Sequence, residues 1–172
     1  MIDIGIIGID PGVTGAVTLL DYHNPNNFRI EDCPVFMQKT GKSKTPKPKS
    51  NPSGMFELLE DLVSEVEHPF VIMESVHARE SDGKVSAYTF GQNEGLWEMA
   101  LIALKLRHKF VPPTVWKIKI GLKGADKEGS RRKALELFPD AASFLKHKKH
   151  HNRAEALLMC EYAKRFLKEE YL

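Results

Sequence analysis

Ile4-Gly5-Ile6-Ile7-Gly8-Ile9-Asp10-Pro11-Gly12-Val13-Thr14-Gly15-Ala16-Val17-Thr18-Leu19-Leu20-Asp21 is the stretch whose reading decides the fold. Its first half is an apolar run that ends on a carboxylate, Asp10, followed at once by the turn dipeptide Pro11-Gly12. The second half alternates and is rich in β-branched residues, so the turn leads into another strand rather than into a helix. A hairpin is implied. A dinucleotide-binding fingerprint needs G-x-G-x-x-G opening a helix whose N-terminus holds the pyrophosphate. Neither that spacing nor that helix is present.

Outward from the hairpin, residues 28–36 read as a third antiparallel strand after the turn Asn24-Pro25-Asn26-Asn27. Residues 39–50 hold Lys, Pro, Ser and Thr with no large apolar side chain, and read as an exposed, flexible basic loop. Asn51 caps a helix with Pro52 at its first position, and Met55, Leu58, Leu59, Leu62, Val63 and Val66 make its apolar stripe; His68-Pro69 reads as its stop. Phe70-Val71-Ile72-Met73 is short and wholly apolar, as suits a central parallel strand after a crossover helix, and it ends in Glu74. After a polar stretch, 77–84, comes a long helix with Val85, Tyr88, Gly95, Leu96, Met99, Ile102, Ala103 and Leu106 as inward positions. Gly91 and Gly95, one turn apart, predict close backbone approach on that face. Phe110-Val111 is a last strand closed by Pro112-Pro113, and helices follow over 127–138 and 152–168. The second of these carries Leu158, Met159, Tyr162, Phe166 and Glu155 on one stripe.

The order β-β-β-α-β-α-β-α-α predicts an α/β fold with a mixed five-stranded sheet, three antiparallel strands and then parallel ones, flanked by helices. That is the ribonuclease H-like architecture. The length, 172 residues, suits one domain over 1–172 with one well-formed core. No apolar run approaches the ~20 residues needed to span a bilayer, so no membrane partner is expected. The N-terminus enters a strand without the features of a signal or import sequence, and the expected location is cytoplasmic. Cys33 and Cys160 read as isolated thiols without a disulfide.

The net charge of +2 conceals a segregated distribution. Residues 117–153 carry 11 Lys/Arg against 4 Asp/Glu, and residues 39–49 add five lysines with no acid, which leaves the remainder strongly acidic. A polyanion-facing surface on an acidic body fits that pattern; a solvated basic face is the plainer reading. His147, His150 and His151 beside Lys146, Lys148 and Lys149 lack a cysteine partner and regular ligand spacing, so they read as a phosphate-facing basic loop rather than a zinc site. Trp97 and Trp116 read as packing residues.

Three acids stand out by position: Asp10 and Glu74 at strand ends, and Glu155 on an otherwise apolar helix face. Singly they have plainer readings, as a turn residue, a strand-end charge reaching water and an acid with a local partner. A buried carboxylate is costly unless it is paired, hydrogen-bonded or bound to a metal. Clustered, these three would hold two divalent ions about 4 Å apart, one activating water and one stabilising the departing oxygen of a phosphodiester. Hard oxygen ligands select Mg²⁺, with Mn²⁺ as a substitute, over zinc.

Taken in order, Ile7-Gly8-Ile9-Asp10-Pro11-Gly12 with Gly15, Ile72-Met73-Glu74, Phe90-Gly91 with Gly95, Trp116-Lys117 and Asn152-Arg153-Ala154-Glu155-Ala156 resemble the RuvC-like Holliday junction resolvases, particularly their phage and viral branch. The resemblance spans nearly the whole chain. It implies a structure-selective endodeoxyribonuclease that resolves four-way and other branched DNA by two-metal-ion hydrolysis, leaves 5′-phosphate nicks and needs no nucleotide cofactor. A homodimer is implied, because two opposed cuts need two active sites, with residues 85–106 as the candidate interface. A phage-encoded member would act in the cytoplasm of its host cell.

The resemblance also implies metal ligands at Asp10, Glu74, Glu155 and Asn152, the last being one helical turn before Glu155. The family has Asp at that fourth place and in some members His, whereas Asn offers a carbonyl oxygen without charge. A tolerated variant, compensation by His151 and an engineered change are all open readings. Lys117 and Lys127 match the family's functional lysines, and Lys127 joins the implied catalytic set. The implied DNA contacts are Lys42, Lys44, His77 (where relatives carry an aromatic wedge), Lys117, Lys123, Lys127, Arg131, Lys146, Lys148, Lys149 and Arg153. Two other classes compete. One is a non-catalytic junction-binding protein or cleavage-deficient variant, on the strength of Asn152. The other is an actin-like ATP-dependent kinase, which also opens on a strand and an acidic glycine turn but requires two such domains and a second phosphate motif.

Overall fold

In a computed structural model, which describes residues 1–39, 45–75 and 83–170, the strands are β1 (Ile2–Asp10), β2 (Ala16–Asp21), β3 (Phe28–Asp32), β4 (Val35–Gln38), β5 (Lys47–Ser50), β6 (Val66–Glu74) and β7 (Arg107–Val111). The helices are α1 (Pro52–Ser64), α2 (Lys84–Ala103), α3 (Pro113–Lys119), α4 (Lys127–Leu137) and α5 (His151–Phe166). One mixed sheet runs in the order β3-β2-β1-β6-β7. The β1–β2–β3 pairs are antiparallel and the β1–β6–β7 pairs parallel, as the order of elements predicts.

Because strand side chains alternate with period two, each face of the sheet takes one parity. Ile6, Leu20, Phe70 and Ile72 pack under α5 with Trp116 of α3 and Ala134 of α4. Ile7, Ile9, Val17, Leu19, Val71 and Met73 pack on the other side against Met55, Leu59 and Leu62 of α1 and Trp97, Ala100 and Leu101 of α2. Strands covered on both faces explain the unbroken apolar run of 70–73. Asn51 caps α1 as the sequence predicts, accepting from the Gly54 N–H at 3.2 Å with Pro52 at the first helical position. Cys33 and Cys160 are free and buried.

The β1–β2 turn and the seat of α5 each need a glycine. At Gly15 a Cβ would fall 2.0 Å from the Asp10 carbonyl oxygen, inside the turn closed by Gly15 N–H to the Gly12 carbonyl at 2.8 Å. At Gly8 a Cβ would fall 2.2 Å from the Ala156 carbonyl oxygen and 2.8 Å from the Cys160 Sγ. The backbone of α5 therefore rests directly on β1.

The structure corrects several expectations. The third strand stops at Asp32, and Val35–Gln38 pairs instead with Lys47–Ser50 in a separate two-stranded ribbon. The expected loop at 39–50 is thus partly strand, and its residues 40–44 lie outside the described residues. Helix α1 ends at Ser64 and Val66 already belongs to β6, so His68-Pro69 lies inside a strand. Proline is tolerated there because pairing with β7 begins only at Phe70, leaving β6 an edge on that side. Pro112-Pro113 closes β7 but also starts α3, with Pro113 in its first turn, where the missing N–H costs nothing. In α2 the inward face is Asn93, Trp97, Ala100 and Leu101; Val85, Tyr88, Met99 and Ile102 face outward at 79, 69, 63 and 54 % exposure. Phe166 is likewise half-exposed rather than inward.

Gly8→Ala forces α5 off the sheet. It is expected to cost roughly 1–3 kcal/mol in chemical denaturation, the range of an overpacked core site. An unchanged unfolding midpoint contradicts the contact.

Candidate active site

Parity and register bring two of the acids together. Asp10 shares a face with Ile6 and Gly8, and Glu74 with Phe70 and Ile72, so both point to the side covered by α3, α4 and α5. Ile9 pairs with Met73, which sets Asp10 and Glu74 at neighbouring strand ends. The carbonyl of Ala156 sits over Gly8, and the residue before it, Glu155, is buried at 9 % exposure toward the same end.

Each carboxylate has a distinct set of partners. Glu74 accepts the Trp116 indole N–H at 2.8 Å. Glu155 accepts Lys117 Nζ on both oxygens at 2.9 Å, and the buried Ser130 hydroxyl donates to it at 2.8 Å. Among the described residues, the Asp10 side chain receives a single long contact, from the Gly12 N–H at 3.4 Å. Burial first, then the charges of Glu74 and Glu155, push the Asp10 carboxyl up to about 7; the Gly12 N–H and Lys117 pull the other way. Burial also raises Glu74, with Glu155 adding to it, against the pull of Lys117 and the Trp116 N–H. The three acids are therefore close enough to feel one another, and the charge of Lys117, which binds Glu155, is also felt at Asp10 and Glu74.

At the fourth position, Asn152 donates its amide to the Thr14 carbonyl at 2.5 Å and ties the start of α5 to the β1–β2 turn. His151, the first residue of α5, has Nδ1 3.2 Å from the Lys148 carbonyl oxygen. It lines one depression with Lys127, Lys148, Lys149 and Asp126. Lys127 is exposed in the first turn of α4, behind the Asp126 cap, and Lys123 and Lys146 are exposed nearby in sequence. Arg131 and Arg153 are committed internally. Arg131 binds Glu128 and the Leu145 carbonyl, and Arg153 holds Asp32 through paired bonds of 2.6 Å and also the Phe144 carbonyl. Free positive charge on this surface is thus mainly lysine. Lys42, Lys44 and His77 lie outside the described residues.

Sequence reasoning missed Ser130 and the polar role of Trp116. Trp116 is fully buried, as a packing residue should be, but its N–H also fixes Glu74. Ser130 carries the weak signal of a small polar residue beside Gly129 on a buried helix face. Among the described residues, the one group of three ligand side chains with atoms within 4.8 Å is Asp3, Glu67 and His68. That group is exposed and lies at the opposite strand ends from Asp10 and Glu74.

No protein-family model matches the chain. Over 83 residues, 48 % of this chain, it is 39 % identical to the chloroplastic Holliday junction resolvase MOC1 of Chlamydomonas reinhardtii, and the match covers 9 % of that protein's length. The structure of T. thermophilus RuvC in complex with a Holliday junction substrate matches with a TM-score of 0.58 at 15 % identity, over 94 % of this chain and 95 % of that one. A second Thermus thermophilus RuvC structure matches with a TM-score of 0.50 at 18 % identity, with the same coverage. Sheet order and flanking helices thus define an α/β protein of the ribonuclease H-like class. Within that class the fold is RuvC-like. Among the described residues, no helix is long and apolar enough to cross a membrane.

The raised carboxyl of Asp10 has a thermodynamic signature. It titrates near 7 when folded against an ordinary 3.8, so in metal-free buffer the native state holds the extra proton between those values. Stability then falls as pH rises through that window. Asp10→Asn is expected to raise the melting temperature by about 3–8 °C in EDTA at pH 7.5 and to have little effect at pH 4. Equal or lower stability at pH 7.5 contradicts the assignment.

Proposed function

We propose that the chain is a structure-selective endodeoxyribonuclease that resolves four-way DNA junctions by metal-dependent hydrolysis, leaving nicks with 5′-phosphates. One observation carries this reading: Asp10, Glu74 and Glu155 repel one another at one edge of the sheet, with Lys117 as the neighbouring cation. Asp10 and Glu74, raised by burial and by neighbouring negative charge, fit cations, and a set built mainly of carboxylate oxygens suits Mg²⁺ or Mn²⁺. Two such ions, when bound, supply an activated water and neutralise charge at the scissile phosphate. The protein's own contribution is preorganisation. The Asp10 turn and the strand ends fix the carboxylates, Trp116 orients Glu74, and Ser130 with Lys117 orients Glu155. Lys117, which holds Glu155 at 2.9 Å, is also the cation of this edge that would meet the phosphate. Lys127 lies on the rim.

Of the readings of the fourth position, compensation by His151 is favoured. Asn152 donates its amide N–H to Thr14 and keeps only a neutral carbonyl oxygen to offer, while His151 stands one turn before Glu155 on α5, beside Lys127. A homodimer is supported by the outward face of α2. Val85, Tyr88, Gln92, Gly95, Met99 and Ile102 recur at alternate spacings of three and four, the seam of two helices packed side by side. A Cβ at Gly95 would meet open space among the described residues, so that part of the seam could take a second copy. The similarity to MOC1 and to RuvC bound to its junction supports branched DNA as the substrate.

Incubating the full chain with a synthetic four-way junction and Mg²⁺ or Mn²⁺ tests the reading. Paired, symmetric, ligatable nicks are expected, falling about 100-fold or more in Asp10→Asn and in His151→Ala. Binding without cleavage in either metal favours the non-catalytic alternative. Failure to prefer a junction over duplex overturns both.

A further inference from the structure

Strands β4 and β5 stand apart from the main sheet, pairing Phe36 with Lys49, Met37 with Pro48 and Gln38 with Lys47. A lone two-stranded ribbon has little intrinsic stability, and this one is held at its base. The Asn51 N–H donates to the Pro34 carbonyl at 2.9 Å, and the Ser50 hydroxyl donates to Asn93 Oδ1 of α2 at 2.5 Å. Its side chains are unlike those of an inert connector. Val35, Phe36 and Met37 are 41, 45 and 62 % exposed. Residues 33–56 hold five lysines and no acid, and of these Lys39 and Lys47 are exposed.

Period two gives the ribbon two working faces. Val35 and Pro48 border a cleft of about 380 Å³ with Thr14, Asn152 and Arg153, next to the candidate active site. On the other face, Phe36, Gln38 and Lys49 border a groove against Tyr88, Gln92 and Leu96 of α2. The ribbon therefore stands between the edge that carries the carboxylates and the outward seam of α2.

We infer that this ribbon engages the branch point of the DNA, Lys39, Lys47 and Lys49 on phosphates and Phe36 and Met37 stacked on or wedged between bases exposed there. The inference rests on the junction reading above and names the segment that would recognise the branch. Exposed apolar side chains in a stretch of sequence whose only charges are lysines suit a polyanion that also offers flat apolar faces, which a branch point does and an intact duplex does not.

The test uses the full chain and a four-way junction with 2-aminopurine at the branch, whose fluorescence rises when the base unstacks. Phe36→Ala/Met37→Ala is expected to abolish most of that rise and to weaken junction binding about tenfold, with duplex binding unchanged. Phe36→Trp, which keeps a stacking surface, is expected to keep the signal. Wild-type protein that prefers junction over duplex, with the double variant matching it in signal and affinity, overturns the ribbon's role alone. A double variant that sediments as a monomer where wild type is a dimer also overturns it, assigning the ribbon to a protein interface. Wild-type protein without junction preference overturns the underlying reading, and the inference with it.

Discussion

The contact of α5 with β1 across Gly8 is the constraint from which the rest of the molecule follows. With no side chain on Gly8, the Ala156 carbonyl lies against the strand, and α5 is buried on nearly every side from Ala154 to Cys160. A helix placed so deeply brings with it whatever polar residue it carries. Here that residue is Glu155, which arrives beside the strand end of Asp10. One missing methyl group thus links the packing of the larger core to the assembly of the acidic edge.

Three carboxylates withdrawn from water are an electrostatic burden, and the surrounding structure offsets only part of it. Glu155 has the fullest set of partners, Lys117 and Ser130, and Glu74 has Trp116. Among the described residues Asp10 has a single long side-chain contact, within its own turn, and burial with the charges of Glu74 and Glu155 pushes its carboxyl up. Among the described residues Asp10 is thus the least satisfied of the three, which fits the cation site proposed above. Stability is given up locally where chemistry needs an unmet charge.

How much of this was legible in the sequence depends on whether a signal was local. The hairpin around Asp10, the doubly covered strand ending in Glu74 and the capped start of α1 all follow from period two, apolar runs and cap chemistry. Strand parity alone aims Asp10 and Glu74 at one face. The inward face of α2 was not legible, because the helix is apolar on two sides and only the fit of Trp97 and Ala100 against α1 chooses between them. Strand β5 reads as a loop because lysine, proline and serine carry no strand preference, and the start of β4 reads as the end of the third strand; the ribbon's order comes from cross-strand pairing and its base contacts. Arg131 and Arg153 look like surface charges in sequence, yet each holds an acid and a carbonyl that only the tertiary fold supplies.

The central claim is that Asp10, Glu74 and Glu155 form one shared cation site. Titrating Mn²⁺ into the full chain, followed by calorimetry and electron paramagnetic resonance, tests it most directly. The account predicts saturable binding of two ions per chain that is lost in Asp10→Asn, weakened in Glu155→Gln and unaffected by Asp3→Asn at the opposite strand ends. Binding that survives Asp10→Asn unchanged, or that disappears with Asp3→Asn, contradicts it.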